Sequence, residues 1–343
     1  MALNHANYGS ERHDSWFGVE ALTRTTRGSP ESEYSMSVNT SKQFSRTESN
    51  MLAMALIAHI TNKYSMRYLF IKGVGAVKLG IRPNRPSADI DVLVHPDDFA
   101  ELLLHLKNLD WMERPIENGL PFPQHSVTLY HGDWPTDIDL HYRFPGLDRE
   151  PSEVFVTLED ESIIHDFNFG SGRIPNTSGA IVIQAVHALR PVGPDCGSIA
   201  DNVDVKFLLD GCRLPPWSEI LNVAHATGSL GTLEPFLRLA YPEQTSKFAF
   251  PKVSEEWSLR TRTSVNGARR VLQIMEADRN DRFTILARSI LRSRADLAIA
   301  DISALTADRK TLMRMRWRRY VRILRDLPHI LKTIRDVRLR SDE

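Results

Sequence analysis

Cysteine is scarce in this chain. Its 343 residues hold two, Cys196 and Cys212, with no Cys-x-x-Cys and no zinc-ligand spacing. A disulfide-stapled or zinc-ribbon scaffold is therefore excluded, and a reducing compartment is expected. Long apolar runs are also absent. Nothing approaches the ~18 residues that a membrane-spanning helix needs. The early residues carry Glu, His and Asp and do not form the apolar stretch of a signal peptide, so a cytoplasmic location is expected. Net charge is missing as well: 43 Lys and Arg face 43 Asp and Glu. No global field calls for a nucleic-acid or membrane partner. No internal repeat occurs. There is no phosphate-binding Gly-x-x-x-x-Gly-Lys-Ser/Thr, no His-Glu-x-x-His and no Ser-His-Asp order.

What remains is ordinary globular material, 42% hydrophobic and 25% charged, long enough for two domains. The balance of charge hides an asymmetry. Residues 309–340 carry twelve Lys or Arg against Asp326 and Asp336, a surplus of ten, so the rest of the chain is acidic by the same amount. Residues 1–47 are rich in Ser and Thr and poor in aliphatics, the composition of a flexible arm.

Chemistry concentrates in 68–94. An apolar run, Tyr68–Ile71, enters the turn Lys72-Gly73-Val74-Gly75, followed by a short helical segment and a Pro/Arg/Asn loop. Then comes Asp89-Ile90-Asp91-Val92-Leu93-Val94, a strand whose acids alternate with aliphatics. Carboxylates two apart on a strand share a face, about 7 Å from each other at the strand's rise. Buried bare, they would repel, and an unpartnered buried charge is costly. A divalent cation resolves this, and hard oxygen donors that leave room for phosphate suit Mg²⁺. A third carboxylate is expected from a neighbouring strand. The chain offers Asp137 and Asp139 in Thr136-Asp137-Ile138-Asp139-Leu140-His141-Tyr142.

These motifs resemble the polymerase-beta-type nucleotidyltransferase superfamily and, more narrowly, a bacterial family of largely uncharacterised nucleotidyltransferases. The carriers are Lys72-Gly73, Arg85 four residues before Asp89-Ile-Asp-Val-Leu-Val94, and Asp139-Leu-His141-Tyr142. Softer matches run to about residue 240, including His187, Leu-Leu-Asp at 208–210 and Trp217. The resemblance implies that Asp89, Asp91 and Asp139 hold Mg²⁺ or Mn²⁺. It also implies that Asp139 orients or deprotonates the acceptor, and that Gly73 lets the backbone approach phosphate. Lys72 and Arg85 would neutralise the triphosphate, and His141 would hold a phosphate or orient a carboxylate. The superfamily usually has Gly-Ser or Gly-Gly where this chain has Gly73-Val74.

The expected fold is α+β: a small nucleotidyltransferase-type mixed sheet backed by helices over 48–177, a helical domain over 178–305, and a basic amphipathic helix over 306–343. A helix over 48–64 with an apolar stripe at Leu52, Leu56 and Ile60 should deliver the chain into the first strand. His95-Pro96-Asp97-Asp98 reads as a helix start running to about 109, with the two acids as capping residues. Strands are expected at 126–130 and 136–142 as a hairpin, with Asp137 a solvated edge residue. Further strands are expected at 154–158 and 162–167. Helices follow from 178, with His187 and Asp210 as candidates to face the cleft, and resume at 259–277 and 281–305. In the C-terminal helix, Trp317, Val321, Leu324, Leu327, Leu331, Ile334 and Val337 recur at helical steps beside dense Arg. Such a helix can lie on an anionic membrane or grip RNA; the plainer expectation is a helix packed by its apolar side.

The function expected is metal-dependent transfer of a nucleoside monophosphate from a triphosphate such as ATP to a small-molecule, peptide or protein acceptor, with pyrophosphate released. Nucleic acid is not the expected acceptor, because the chain outside 309–340 leans acidic. Two alternatives stand beside this. One is a nucleotide-binding or regulatory protein of the same fold without turnover, motivated by Val74. The other is a two-metal phosphohydrolase using the same acids.

Overall fold

The computed structural model describes residues 45–115, 123–167, 170–190, 199–262, short stretches between 274 and 298, and 302–341. Of the expected N-terminal arm, all but residues 45–47 lies outside the described residues. So does most of the helical expectation for 259–305, where the structure describes helices at Glu255–Arg262 (α10) and Arg294–Ala298.

The first helix, α1 (Arg46–Tyr64), opens on a capping box. Ser45 accepts from the Glu48 amide and the Glu48 carboxylate accepts from the Ser45 amide. It closes at Ser65, in the left-handed region at φ +56°. Its buried face is not the Leu52/Leu56/Ile60 stripe. Asn50, Ala53, Met54, Ile57, Ala58, Ile60 and Thr61 are buried, while Leu52 and Leu56 are only half-buried. The true face spaces its members by three and four, but small and polar residues make up part of it, which hid it from a reading by aliphatics.

Strand β1 (Tyr68–Ile71) follows, then the short helix α2 (Gly73–Lys78), β2 (Asp89–Val94) and α3 (Pro96–Lys107). Pro96 at the first turn and Asp97 and Asp98 beside it start α3 as expected. A two-residue strand, β3 (Met112–Glu113), precedes β4 (Ser126–Tyr130) and β5 (Asp137–His141). The five strands form one sheet in the order β1-β2-β5-β4-β3. All neighbours are antiparallel except β2 and β5, which are parallel. β5 is thus an interior strand and Asp137 is not a solvated edge residue. It accepts a bidentate pair from Arg114, at 2.7 and 2.8 Å.

Helix α4 (Pro151–Glu159) replaces the strand expected at 154–158. Pro151 sits in its first turn, and Val154, Phe155 and Leu158 make a helical face that a short apolar run disguises. Strand β6 (Ile163–Asp166) lies within the expected 162–167, and pairs with β7 (Ser171–Ile174) in a separate two-stranded sheet. Helices α5 (Thr177–Ala188), α6 (Val203–Asp210), α7 (Trp217–Ala226) and α8 (Leu230–Ala240) then make a helical part of the molecule, with a single turn, α9 (Pro242–Thr245), after them. Almost every residue of α5 is buried, as befits a helix apolar all round.

The large sheet has a core on each face. Phe70, Ile90, Val92, Val94, Val127, Leu129, Ile138 and Leu140 pack with α1 and α3. Leu69, Ile71 and Leu93 point the other way and join Phe144 and the core of α4 to α8. By strand parity, Asp89, Asp91, Asp139 and His141 share this second face. The acids therefore lie between the sheet and the helical part.

Asn50 of α1 ties the ends of both acid strands together. Its amide nitrogen donates to the Ser87 carbonyl at 3.0 Å, just before β2, and its carbonyl accepts from the buried Thr136 hydroxyl, just before β5.

The last helix, Arg309–Ser341, is continuous through Pro328. Leu312 packs on Leu297, Ala298 and Ala304. The expected packing fails for the described part of the stripe: Trp317, Val321, Leu324, Leu327 and Leu331 are exposed, as is Met313, while the Ile334 and Val337 side chains lie outside the described residues. No described helix is long and apolar enough to cross a membrane.

Replacing Asn50 with Ala removes the short partner of the buried Thr136 hydroxyl, leaving it only the long contact to the Asp137 carbonyl, and frees the half-buried Ser87 carbonyl. The expected loss is roughly 2–4 kcal/mol of stability, read as a lower urea midpoint in equilibrium unfolding. An unchanged midpoint would mean that this clamp holds nothing together.

Candidate metal and nucleotide site

Parallel pairing sets Asp91 directly beside Asp139, and Asp89 beside Asp137. Adjacent like charges on one face are destabilising unless something lies between them. Here His141 does. Its Nε2 is 3.1 Å from Asp91 Oδ1 and 3.0 Å from Asp139 Oδ2. One ligand atom from each of Asp91, Asp139 and His141 falls within 4.8 Å of the others. Lys72 pairs with the same oxygen, Asp91 Oδ1. Its Nζ also lies 5.6 Å from the centre of the Phe144 ring. Thr128 donates to Asp139 Oδ1 at 3.0 Å from the adjoining strand β4.

The electrostatics follow from this arrangement. Burial would raise the Asp91 carboxyl, but Lys72 and then His141 more than offset it and hold it below the usual range. Asp139 is buried too, and His141, Lys72 and a hydrogen bond from Ser126 bring it well below the usual range. For His141 burial opposes the charge, yet Asp139 and Asp91 raise its pKa above the ordinary value, so it sits between them as a cation. Asp89 differs. Burial and the neighbouring Asp91 charge push it up to about 6, with Lys72 only partly compensating. Lys72 and His141 thus pair directly with Asp91 and Asp139, and Asp89 has no such ion pair among the described residues.

Lys72 reaches its position at a conformational cost. Its backbone stands at φ +58° and ψ −151°, and Gly73 follows at φ +43°. A side chain with a Cβ rarely occupies the first of these, at a cost of about 1–3 kcal/mol. At Gly73 an added Cβ would meet Ser87 Oγ at 3.3 Å. The same loop holds Arg82, whose Nη1 donates to Ser87 Oγ at 2.9 Å. At Gly75 the close approach is to the Ile174 side chain, 3.1 Å from an added Cβ, so that glycine serves packing. Arg85 pairs with Asp204 of α6 at 2.8 Å, and its side chain remains 44% exposed.

Three groups face this cluster from outside its motif. His187 of α5 is depressed to about 3 by burial and by the charges of Lys72 and Arg190. His125, before β4, is depressed to about 2 by burial and by His141, with its ring 5.8 Å from that of His141. Arg190 stacks on Phe144 with Cζ 4.9 Å from the ring centre, and burial lowers it to about 10. Its Nε and Nη2 are buried and find no partner among the described residues. Guanidinium nitrogens left unmatched beside the acid cluster suit an anion. Arg190 had no sequence signal, because nothing local to the end of α5 marks it. Asp204, equally missed, was betrayed only by the Asn202 cap preceding it. Asp210, a sequence candidate, is exposed.

His141 thus contacts both Asp91 and Asp139, and Lys72 contacts Asp91. Asp89 lies outside the trio but within its field, while Gly73 lines the neighbouring turn. Arg85 is engaged with α6.

No family model and no curated protein matches this chain. Among solved structures it is similar to the crystal structure of an antigenic nucleotidyltransferase-like protein from Paracoccidioides brasiliensis. The identity is 13%, over 58% of this chain and 91% of that one, with a TM-score of 0.38. A likeness of that size leaves function to the chemistry of the site.

His125 and His187 supply a pH test. Their folded pKa values lie below the unfolded value near 6.5, so only the unfolded chain gains protons as pH falls through that value. Their contribution is complete above about pH 7 and declines below it. The His125→Asn/His187→Asn variant is expected to lose less stability than the wild type between about pH 7.5 and about pH 5, by on the order of 1–2 kcal/mol per histidine. Chemical denaturation at both pH values reads the difference; parallel losses would show that the two rings are accessible to protons in the fold.

Proposed function

We propose that this protein is a metal-dependent nucleotidyltransferase that moves a nucleoside monophosphate group from a triphosphate to an acceptor hydroxyl, amine or side chain. The observation that carries the reading is the Asp91/Asp139/His141 cluster on paired strands, with Asp89 next to it only partly compensated by positive charge. The donor set fits a divalent cation: hard carboxylate oxygens gathered on one face, with Asp89 only partly compensated by protein cations. Asp91 and Asp139 would hold the ion, with Asp89 completing the set. When bound, Mg²⁺ or Mn²⁺ would offset charge on the transferred and leaving phosphate oxygens.

The rest of the work belongs to the chain. Lys72 and Arg190 offer positive charge at the edge of the cluster, and Nε and Nη2 of Arg190, which find no partner among the described residues, present two donors to a phosphate. Gly73 leaves space beside the turn, with Arg82 behind it. Arg85, tied to Asp204, would fix the loop that carries Arg82 and Ser87 more than it would grip phosphate itself. Asp139 remains ionised and keeps His141 charged, so it would orient an acceptor by accepting a hydrogen bond. A small-molecule, peptide or protein acceptor fits this chemistry, in a reducing compartment such as the cytoplasm.

A second reading is favoured by one specific feature. Lys72 and His141 already pair with Asp91, and Val74 stands where the resembling superfamily has a small residue. A protein that binds nucleotide without turning it over would look the same.

Calorimetry with each of the four nucleoside triphosphates and Mg²⁺ tests both. The wild type is expected to bind at least one, and Asp89→Asn/Asp91→Asn to bind it about tenfold or more weakly, since paired charge contacts of this kind are worth 1.4 kcal/mol or more. Pyrophosphate release with an acceptor panel would support transfer. Binding without pyrophosphate would favour the regulatory reading. Phosphate or nucleoside monophosphate released with water alone would point to a phosphohydrolase. Failure of every nucleotide to bind would refute the proposal.

A further inference from the structure

One side of the helix Arg309–Ser341 meets the rest of the chain, most closely near its start. Leu312 and Met315 join the Leu297/Ala298/Ala304 cluster, and Arg316 Nη2 donates to the Arg292 carbonyl at 2.9 Å. On the other side runs an uncovered apolar row: Met313, Trp317, Val321, Leu324 and Leu331, flanked by Leu327. Steps of four, four, three and seven keep these residues on one line down the helix. Trp317 and Leu324 are each 68% exposed. At a rise of 1.5 Å per residue the row is about 27 Å long.

A second row accompanies the first. Arg314, Arg318, Arg322 and Arg325 each follow an apolar member by one residue, which places them along one flank of the stripe, and all four are exposed. Arg325 contacts Asp326 at 3.1 Å, and Asp326 is the only acid between 309 and 335. By helical rotation that acid projects from the side opposite Trp317.

We infer that this helix is a membrane-surface anchor: it lies in the plane of an anionic bilayer, with Trp317, Val321 and Leu324 in the acyl boundary and the arginine row on lipid phosphates. Charge complementarity selects this occupant. Exposed aliphatics have no counterpart on a nucleic-acid backbone, which would use the arginines alone. A second copy of the helix would bring arginines with no acid to meet them. A protein that clasps a helix would need more than one of its sides, yet one side is already tethered to Leu297 and Arg292. A flat anionic surface needs only the free side, and it satisfies both rows together. Long arginine stems can lie along the apolar boundary while their heads reach the phosphates. The inference does not depend on the nucleotide site.

Co-sedimentation of the full chain with vesicles tests it, using phosphatidylcholine alone and phosphatidylcholine with about 30% phosphatidylglycerol at near-physiological salt. At least about tenfold tighter partition onto the anionic vesicles is expected, weakening as salt is raised. Val321→Glu/Leu324→Glu and Arg314→Gln/Arg318→Gln/Arg322→Gln should each abolish it. These positions are exposed, so circular dichroism should show both variants folded and the wild-type comparison stands without them. Equal partition onto both vesicles, or no partition at all, overturns the inference. So does retention of binding by both variants. Self-association in sedimentation velocity, or a shift of RNA in a gel, without anionic-vesicle binding would assign the face to those occupants instead.

Discussion

The parallel pairing of β2 with β5 is the constraint on which the site rests. It sets Asp91 level with Asp139 across one strand spacing, on the face that also carries Asp89 and His141. Such a pair is tolerable only with positive charge close by, and the chain supplies it from two directions. His141 arrives from the same strand as Asp139, two residues on, and bridges both carboxylates. Lys72 arrives from the turn after β1, where the backbone is forced into an uncommon conformation to deliver it. The strained turn and the buried acids therefore explain each other: the ion pair offsets the strain, and the strain puts the ammonium where the pair needs it.

The surrounding structure maintains this register. Asn50 hydrogen-bonds to the backbone before β2 and accepts from Thr136 before β5, so one side chain of α1 reaches the entrance of both acid strands. The opposite face of the sheet is packed by Ile90, Val92, Ile138 and Leu140 against the α1/α3 layer. A slip by one residue would bury the acids in that layer and expose these aliphatics, which makes the register costly to change. On the site's own face, Phe144 forms an apolar floor on which Lys72 and Arg190 rest. The low-dielectric floor strengthens every charge contact above it.

Charge is distributed unevenly over the molecule as a whole. The buried acid cluster holds one carboxylate, Asp89, without an ion pair among the described residues, while the last helix carries a large basic surplus on a surface remote in sequence. A formal net charge of zero conceals both. One is a buried acid cluster suited to a small cation and phosphate; the other is an exposed surplus beside apolar side chains. The two use opposite physics, desolvated pairing in the first and long-range attraction with surface burial in the second.

The sequence by itself determined the two strands that carry the acids and the face the acids take, because alternation of acid and aliphatic is a local pattern with period two; it did not separate the apolar run at 154–158, read as a strand, from the helix it forms. It also determined the glycine turn, the Pro96 helix start and the helical run from α5 to α8, all signalled by residues within a few positions of one another. Tertiary structure decided the rest. The neighbour of Asp91 is fixed by strand order, and only the interior placement of β5 gave Asp137 to Arg114 instead of to solvent. The face of α1 turned on Asn50 and Thr61, polar residues that are buried because distant partners satisfy them. His125, His187 and Arg190 come to the cluster from segments far along the chain. The outward apolar row of the last helix was legible as a pattern, but that it lacks a partner is a fact of packing. Local periodicity is written in consecutive residues; register, burial and the company that a charge keeps depend on chain-distant groups, and those are set only when the whole fold closes.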